Sequence, residues 1–344
     1  MTNLSHMPPI RDQLGRALRD LRISVMDRCN FRCVYCMPED KFHPGFKFLP
    51  SKARLSFDEM LRLVRIFTKL GVSKIRITGG EPLLRVNLTD FIGDLSTIDK
   101  IKDIALTTNG VLLKKYADEL KAAGLDRITV SLDSIDPNEF RLMTGGRGDL
   151  NQVLNGIDGA QRAGFKDIKI NAVIKKGINE SNILKMVEYF RVQPVILRFI
   201  EYMDVGNIND WQQQETIPSS DIIELISNKW SLSPMKQNYE GEVASRFIFD
   251  DTGTEIGFIS SMTNPFCGSC TRARLSSDGK LYNCLFASKG MDIKSWIRSE
   301  MDDNTIEEKI VSIWKSRDDR YSELRYLNQN NKEKEKVEMY YIGG

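Results

Sequence analysis

Six short runs rich in aliphatic and β-branched residues are separated by stretches of helical periodicity. This alternation restricts the fold of the chain more than any other feature. The runs are RISVM (22–26), KIRIT (74–78), DIALT (103–107), RITVSL (127–132), IKINAVI (168–174) and VILRFI (195–200). The clearest helical pattern, FDEMLRLVRIFTKLG (57–71), spaces Leu61, Val64, Phe67 and Leu70 three to four residues apart and stops at Gly71. KKYADELKAAG (114–124) repeats the design. Strands alternating with helices imply parallel strands joined by right-handed crossovers. These six units fall short of the eight that close a barrel of about 250 residues. The expected fold is therefore α/β: a six-stranded partial (β/α) barrel over 1–206, open on one side, with a smaller C-terminal α+β domain. After Gly206 the pattern changes. RFIFD (246–250) and EIGFIS (255–260) flank DDTG as a hairpin, and helical runs follow at about 290–300 and 304–316. The second domain is set at 207–328. A charged tail with KEKEK (332–336), ending YYIGG, occupies 329–344.

The 344 residues are enough for one large core, or one core plus a smaller domain. With 49 basic and 47 acidic residues there is no polycation for nucleic acid, so any anion site must be built locally. No apolar run approaches the ~18 residues of a membrane span. The first thirty residues are charged throughout, so the chain reads as cytoplasmic, with no membrane partner. Only His6 and His43 are present, which argues against Ser/His catalysis and His-rich zinc sites.

All six cysteines fall into two sets of three: Cys29, Cys33 and Cys36 (C-x3-C-x2-C), and Cys267, Cys270 and Cys284 (C-x2-C-x13-C). In a reducing compartment clustered cysteines point to metal or redox chemistry rather than disulfides. Structural zinc takes four ligands, and no histidine stands near either set. A zinc knuckle using Asp27 as fourth ligand competes at the first set, although C-x3-C-x2-C is a poor zinc spacing. A structural metal competes more strongly at the second. Thiolates suit iron–sulfur clusters, and three on a four-iron cluster leave one iron free to bind a small molecule.

The strands carry a second signal. Long basic side chains share one parity with polar neighbours: Arg22 with Ser24, Arg76 with Thr78, Lys169 with Asn171. Arg198 interrupts the hydrophobic VILRFIE, and TRAR (271–274) puts Arg272 and Arg274 beside the second cysteine set. Cations facing a barrel lumen require an anion, and arginine forks suit phosphate oxygens. The competing reading is that each reaches water at a strand end or pairs with Glu81 or Glu201.

CNFRCVYC (29–36) at a first strand end, followed by TGGEP (78–82) after the second, resembles the radical S-adenosylmethionine (SAM) superfamily. Gly79 and Gly80 suit close backbone approach to a ligand. Adding CGSCTRARLSSDGKLYNCLF (267–286), FIEYMDVG (199–206) and the terminal Gly-Gly, the chain resembles the GTP 3′,8-cyclase family of molybdenum-cofactor biosynthesis from about residue 10 to 344. Met26 stands where that family usually has Thr.

The resemblance implies two 4Fe-4S clusters, one on Cys29, Cys33 and Cys36, the other on Cys267, Cys270 and Cys284. It implies S-adenosyl-L-methionine against Tyr35, Gly80, Ser131 and Met203. GTP would be gripped by Arg22, Arg76, Thr107, Lys169, Arg272 and Arg274, with its base on the second cluster. A 5′-deoxyadenosyl radical would remove the ribose 3′ hydrogen, and C3′ would attack guanine C8 to give 3′,8-cyclo-7,8-dihydro-GTP. Gly343 and Gly344 would reach the active site. Implied partners are an external electron donor and the downstream cyclic pyranopterin monophosphate synthase; a homodimer is compatible with the resemblance. The alternatives are a radical SAM peptide-modifying enzyme, which usually carries more cysteines, and a zinc-stabilised nucleotide-binding barrel.

Overall fold

The computed structural model describes residues 9–239, 241–325 and 336–343. The six expected strands are present as β1 (Asp20–Ser24), β2 (Lys74–Thr78), β3 (Asp103–Thr108), β4 (Arg127–Ser131), β5 (Ile168–Ile174) and β6 (Val195–Glu201). They are parallel neighbours in chain order. The helix Phe57–Lys69 begins where the sequence directs it. Ser56 Oγ accepts from Glu59 N (3.1 Å) while Ser56 N donates to Glu59 Oε2 (2.7 Å), a reciprocal cap. Its buried face carries Met60, Leu61, Val64 and Phe67.

One parity of the strands makes the core. Leu21, Ile23, Ile75, Ile77, Leu106, Ile128, Val130 and Ile170 are fully buried. Each such side chain contributes about 1.5–3 kcal/mol on burial. The other parity carries Arg22, Arg76, Thr107, Lys169 and Arg198, which line a cavity. One face of the sheet is thus sealed by apolar packing and the opposite face is polar.

The C-terminal segment adds its strands to the sheet of the first six. Its strands are β7 (Leu232–Met235), β8 (Ser245–Phe249), β9 (Glu255–Ile259), β10 (Arg272–Leu275), β11 (Lys280–Tyr282) and β12 (Met291–Asp292). All join the same sheet, in the order β12-β11-β10-β1-β2-β3-β4-β5-β6-β9-β8-β7. β10 pairs parallel with β1 and β9 parallel with β6, so the parallel run has eight strands rather than six. The reason is that an open parallel sheet leaves two rows of unpaired backbone groups. The hairpins β8–β9 and β10–β11 each present a strand that satisfies one row. The hairpin at 246–260 is where the sequence places it. No helix of the described residues is long and apolar enough to cross a membrane.

Candidate active site

The first cysteine set lies in the loop after β1. Cys29, Cys33 and Cys36 are partly buried free thiols. The loop is seated against the end of β2: Gly80 N donates to Met26 O (2.7 Å) and Glu81 N to Arg28 O (2.8 Å). A Cβ on Gly80 would lie 2.3 Å from Arg28 O, and one on Gly79 (φ +152°) 2.5 Å from Met26 O. These glycines therefore admit the cysteine loop itself, where the sequence reading gave them to a ligand. Glu81 is spent on the same joint, accepting from Leu83 N, Asn109 N and Thr108 Oγ1. Asn109 Nδ2 in turn reaches Asn30 Oδ1 (2.7 Å) and lies 3.8 Å from Cys29 Sγ. Tyr35 OH donates to the buried Asp133 Oδ2 (3.0 Å).

The thiols suit a cluster. Burial, reinforced by Glu81, pushes Cys29 up to about 12; burial also raises Cys33 and Cys36. Thiolates here need a metal to stabilise them. A four-iron cluster accepts thiolates from a short loop, which is the donor set that Cys29, Cys33 and Cys36 offer. Asp27 Oδ2 accepts from Leu49 N (2.6 Å), while its Oδ1 is buried without a partner among the described residues.

The polar face of the sheet forms the main cavity, and strand register sorts its charges into two rows. In one row Arg272, Asp20, Lys74 and Asp103 lie side by side on β10, β1, β2 and β3. Signs alternate, and Asp103 also pairs with Arg127. This row is compensated. Two residues along, Arg274, Arg22 and Arg76 stand side by side on β10, β1 and β2. Among the described residues no carboxylate pairs with any of them, nor with Lys169 or Arg198. Arg76 Nη1 donates to the Thr107 and Thr129 hydroxyls (3.0 and 3.2 Å), and Arg198 to Asn171 Oδ1 (2.7 and 3.0 Å). Burial and the neighbouring arginines hold Arg22 and Arg274 below the usual guanidinium range and push Lys169 down to about 8. Such a constellation is stable only with an anion.

The second cysteine set opens into this same cavity: Cys267, Cys270 and Cys284 all line it. A buried network carries it. Asp12 Oδ2 accepts from Arg16 Nε (2.5 Å) and Arg317 Nη1 (3.4 Å). The two arginines then hold the cysteine backbone, Arg16 Nη1 donating to Cys267 O (2.9 Å) and Arg317 Nη1 to Cys270 O (2.8 Å). Arg272 Nη2 lies 3.4 Å from Cys270 Sγ. Burial raises the Cys270 thiol, but Arg272 and Arg317 outweigh it and bring it down to about 6. Burial and Asp319 push Cys284 up to about 12. A ready thiolate at Cys270 beside a thiol at Cys284 that needs a metal again suits a cluster.

The tail comes between the two sites. Tyr340 N donates to Cys36 Sγ, and Tyr340 packs edge-on against Phe42 of the loop after the first cysteine set (4.9 Å). Ile342 is fully buried, and Arg274 Nη1 donates to Gly343 O. A Cβ on Gly343 (φ +69°) would meet Thr78 Cγ2 at 2.0 Å. Gly344 lies outside the described residues. Of the remaining expected residues, Met203 lines the cavity and Ser131 ends β4 opposite Asn171, while Tyr35 and Gly80 stay with the first cysteine set. The sequence reading missed Asp12, Arg16, Lys74, Asn109, Arg127 and Arg317.

Comparison with known proteins agrees with this geometry. Residues 23–190 match the radical SAM superfamily, and residues 195–323 match Molybdenum Cofactor Synthesis C. A protein of Acidothermus cellulolyticus named GTP 3′,8-cyclase is 47% identical, over 98% of this chain and 99% of its own length. One of Xanthomonas campestris with the same name is 49% identical over 98% of each chain. Among solved structures, Streptococcus suis SuiB bound to S-adenosylmethionine shares the fold. Its TM-score is 0.59 at 17% identity, covering 87% of this chain and 69% of that one. The fold and site define a radical SAM enzyme. The chain belongs to the GTP 3′,8-cyclase family.

Proposed function

We propose that this enzyme converts GTP to (8S)-3′,8-cyclo-7,8-dihydroguanosine 5′-triphosphate, an early step of molybdopterin biosynthesis. The observation that carries the reading is the shared cavity: three adjacent uncompensated arginines on one wall and a cysteine triad on another. A triphosphate satisfies the first and a purine on an open iron the second.

Cys29, Cys33 and Cys36 would hold one 4Fe-4S cluster, with Tyr35, Gly80, Ser131 and Met203 beside S-adenosylmethionine. Cys267, Cys270 and Cys284 would hold the other. When bound, SAM at the first cluster would supply a radical for removal of the ribose 3′ hydrogen; C3′ would then join guanine C8, with one electron from the external donor and one proton completing the dihydro product. The chain's own contribution is positional. Arg22, Arg76, Lys169, Arg272 and Arg274 fix the phosphates, and Thr107 orients Arg76. With the base held at the second cysteine set, the ribose is fixed from both ends. Gly343 would be the part of the tail nearest the reacting groups, since glycines thread narrow space, and Gly344 would share the functional role expected of the terminal Gly-Gly. We read residues 1–206 as a partial barrel, 207–328 as the segment carrying the second cluster and 329–344 as the tail. An external electron donor and the cyclic pyranopterin monophosphate synthase fit as partners.

Anaerobic reconstitution tests this. Roughly eight irons per chain and GTP-dependent formation of 5′-deoxyadenosine are expected. Zinc in place of iron, or deoxyadenosine formation indifferent to GTP, would overturn the reading.

A further inference from the structure

The connection between β7 and β8 carries a residue that the reading above leaves unused. β7 and β8 lie at one edge of the sheet, yet Tyr239 lines the main cavity. Lys74 Nζ lies 4.1 Å from the centre of its ring. Arg76, Arg127, Arg198 and Arg272 line the same cavity. Cations from β2, β4, β6 and β10 therefore share a cavity with one phenol delivered from the edge of the sheet.

The approach is built. Arg246 Nη1 donates to Lys236 O and Asn238 Oδ1 (both 2.8 Å), Asn238 N donates to Glu242 Oε2 (2.7 Å), and Glu242 N to Tyr239 O (3.2 Å). Gly241 (φ +86°) presses so closely on the turn of the second cysteine set that a Cβ would lie 2.6 Å from Ser269 O. The connection thus reaches the cysteine turn, and Tyr239 is fixed between the two. Core packing does not explain it, because the side chain is 46% exposed. A phenol is neutral and rotatable. It can accept from guanidinium groups in the free cavity and turn its O–H toward an anion that replaces it.

We propose that Tyr239 is a ligand of the polyphosphate, its hydroxyl donating to a phosphate oxygen held by Lys74, Arg76 and Arg272 and its ring shielding those contacts from water. This assignment rests on the nucleotide reading above and adds a residue to it.

The test is equilibrium binding of GTP and of guanosine to the cluster-loaded full-length enzyme, wild type against Tyr239→Phe and Tyr239→Ala. Thermal unfolding checks each variant. A hydrogen bond to a charged oxygen corresponds to about tenfold or more in affinity. Tyr239→Phe is expected to weaken GTP binding by about that factor and to leave guanosine binding unchanged. Tyr239→Ala, which also loses the ring, should weaken GTP binding further. Wild-type GTP affinity in Tyr239→Phe, or equal losses for GTP and guanosine, overturns the assignment while leaving the nucleotide reading intact. A wild-type enzyme that binds GTP no better than guanosine removes both.

Discussion

Arg22 offers the sharpest separation of a binding role from a structural one. It stands between Arg274 and Arg76 on adjacent strands. Its charge is opposed by burial and by Arg274, Arg76 and Arg272, and eased only by Asp20. Side chains on neighbouring strands lie ~5–6 Å apart, so at an effective dielectric of ~20 each repulsion is ~2–3 kcal/mol before cavity water screens it. Arg22→Gln keeps most of the stem and removes the charge. The ligand-free protein is expected to gain ~1–2 kcal/mol after screening and lost packing are counted. GTP affinity should fall ~10–100-fold, as for loss of a charge-assisted hydrogen bond. Urea unfolding of the cluster-loaded, nucleotide-free enzyme reads the first effect, and anaerobic calorimetric titration with GTP reads the second. The two have opposite signs. A variant that loses stability and keeps its affinity would refute the argument that the row awaits an anion.

Three further outcomes are expected. Burial, then Arg198, Arg127 and Arg76, push Lys169 down to about 8. The unfolded chain keeps that proton to higher pH, so stability of the free enzyme should rise between about pH 8 and ~10. GTP, which demands the ammonium, should bind with proton uptake and more weakly above about pH 8; titration in buffers of different ionisation enthalpy, with Lys169→Met as the control lacking both effects, checks this. Asp12→Asn leaves Arg16 as a buried cation without its carboxylate, while Arg317 keeps Asp319, and should cost ~3–5 kcal/mol; iron content should fall toward one cluster, measured with the urea midpoint. Gly80→Ala drives a Cβ to 2.3 Å from Arg28 O, so the cysteine loop must shift; iron retention and the spectrum of the first cluster should be lost before the fold is.

The six central strands and the first helix were legible because their signals are local. β5 opens with Ile alternating with Lys and Asn, β6 is an apolar run broken by Arg198, and Leu61, Val64, Phe67 and Leu70 mark the helix that Gly71 stops. The cysteine sets and the strand cations were legible as residue types. What the sequence does not carry is partnership across distance. TRARL is too short to announce a strand, and nothing in it says that β10 pairs with β1. That pairing alone separates the compensated row from the uncompensated one, since Arg272 meets Asp20 while Arg274 meets Arg22. Asp12 and Arg317 escaped for the same reason, since their bond joins positions 305 residues apart, and Arg16 reaches Cys267 across 251. Gly79 and Gly80 were recognised as sites of close approach, and the backbone of Met26 and Arg28 is one such approach.

The arginine row at residues 22, 76 and 274 also bears on synthesis. Its first two members leave the ribosome early, and the third follows some two hundred residues later. A nascent or truncated chain can lay down the central strands yet lacks one flank of the row, along with the thiols at 267, 270 and 284. Nucleotide capture therefore arrives as one of the last properties the growing polypeptide acquires, after most of the scaffold has formed.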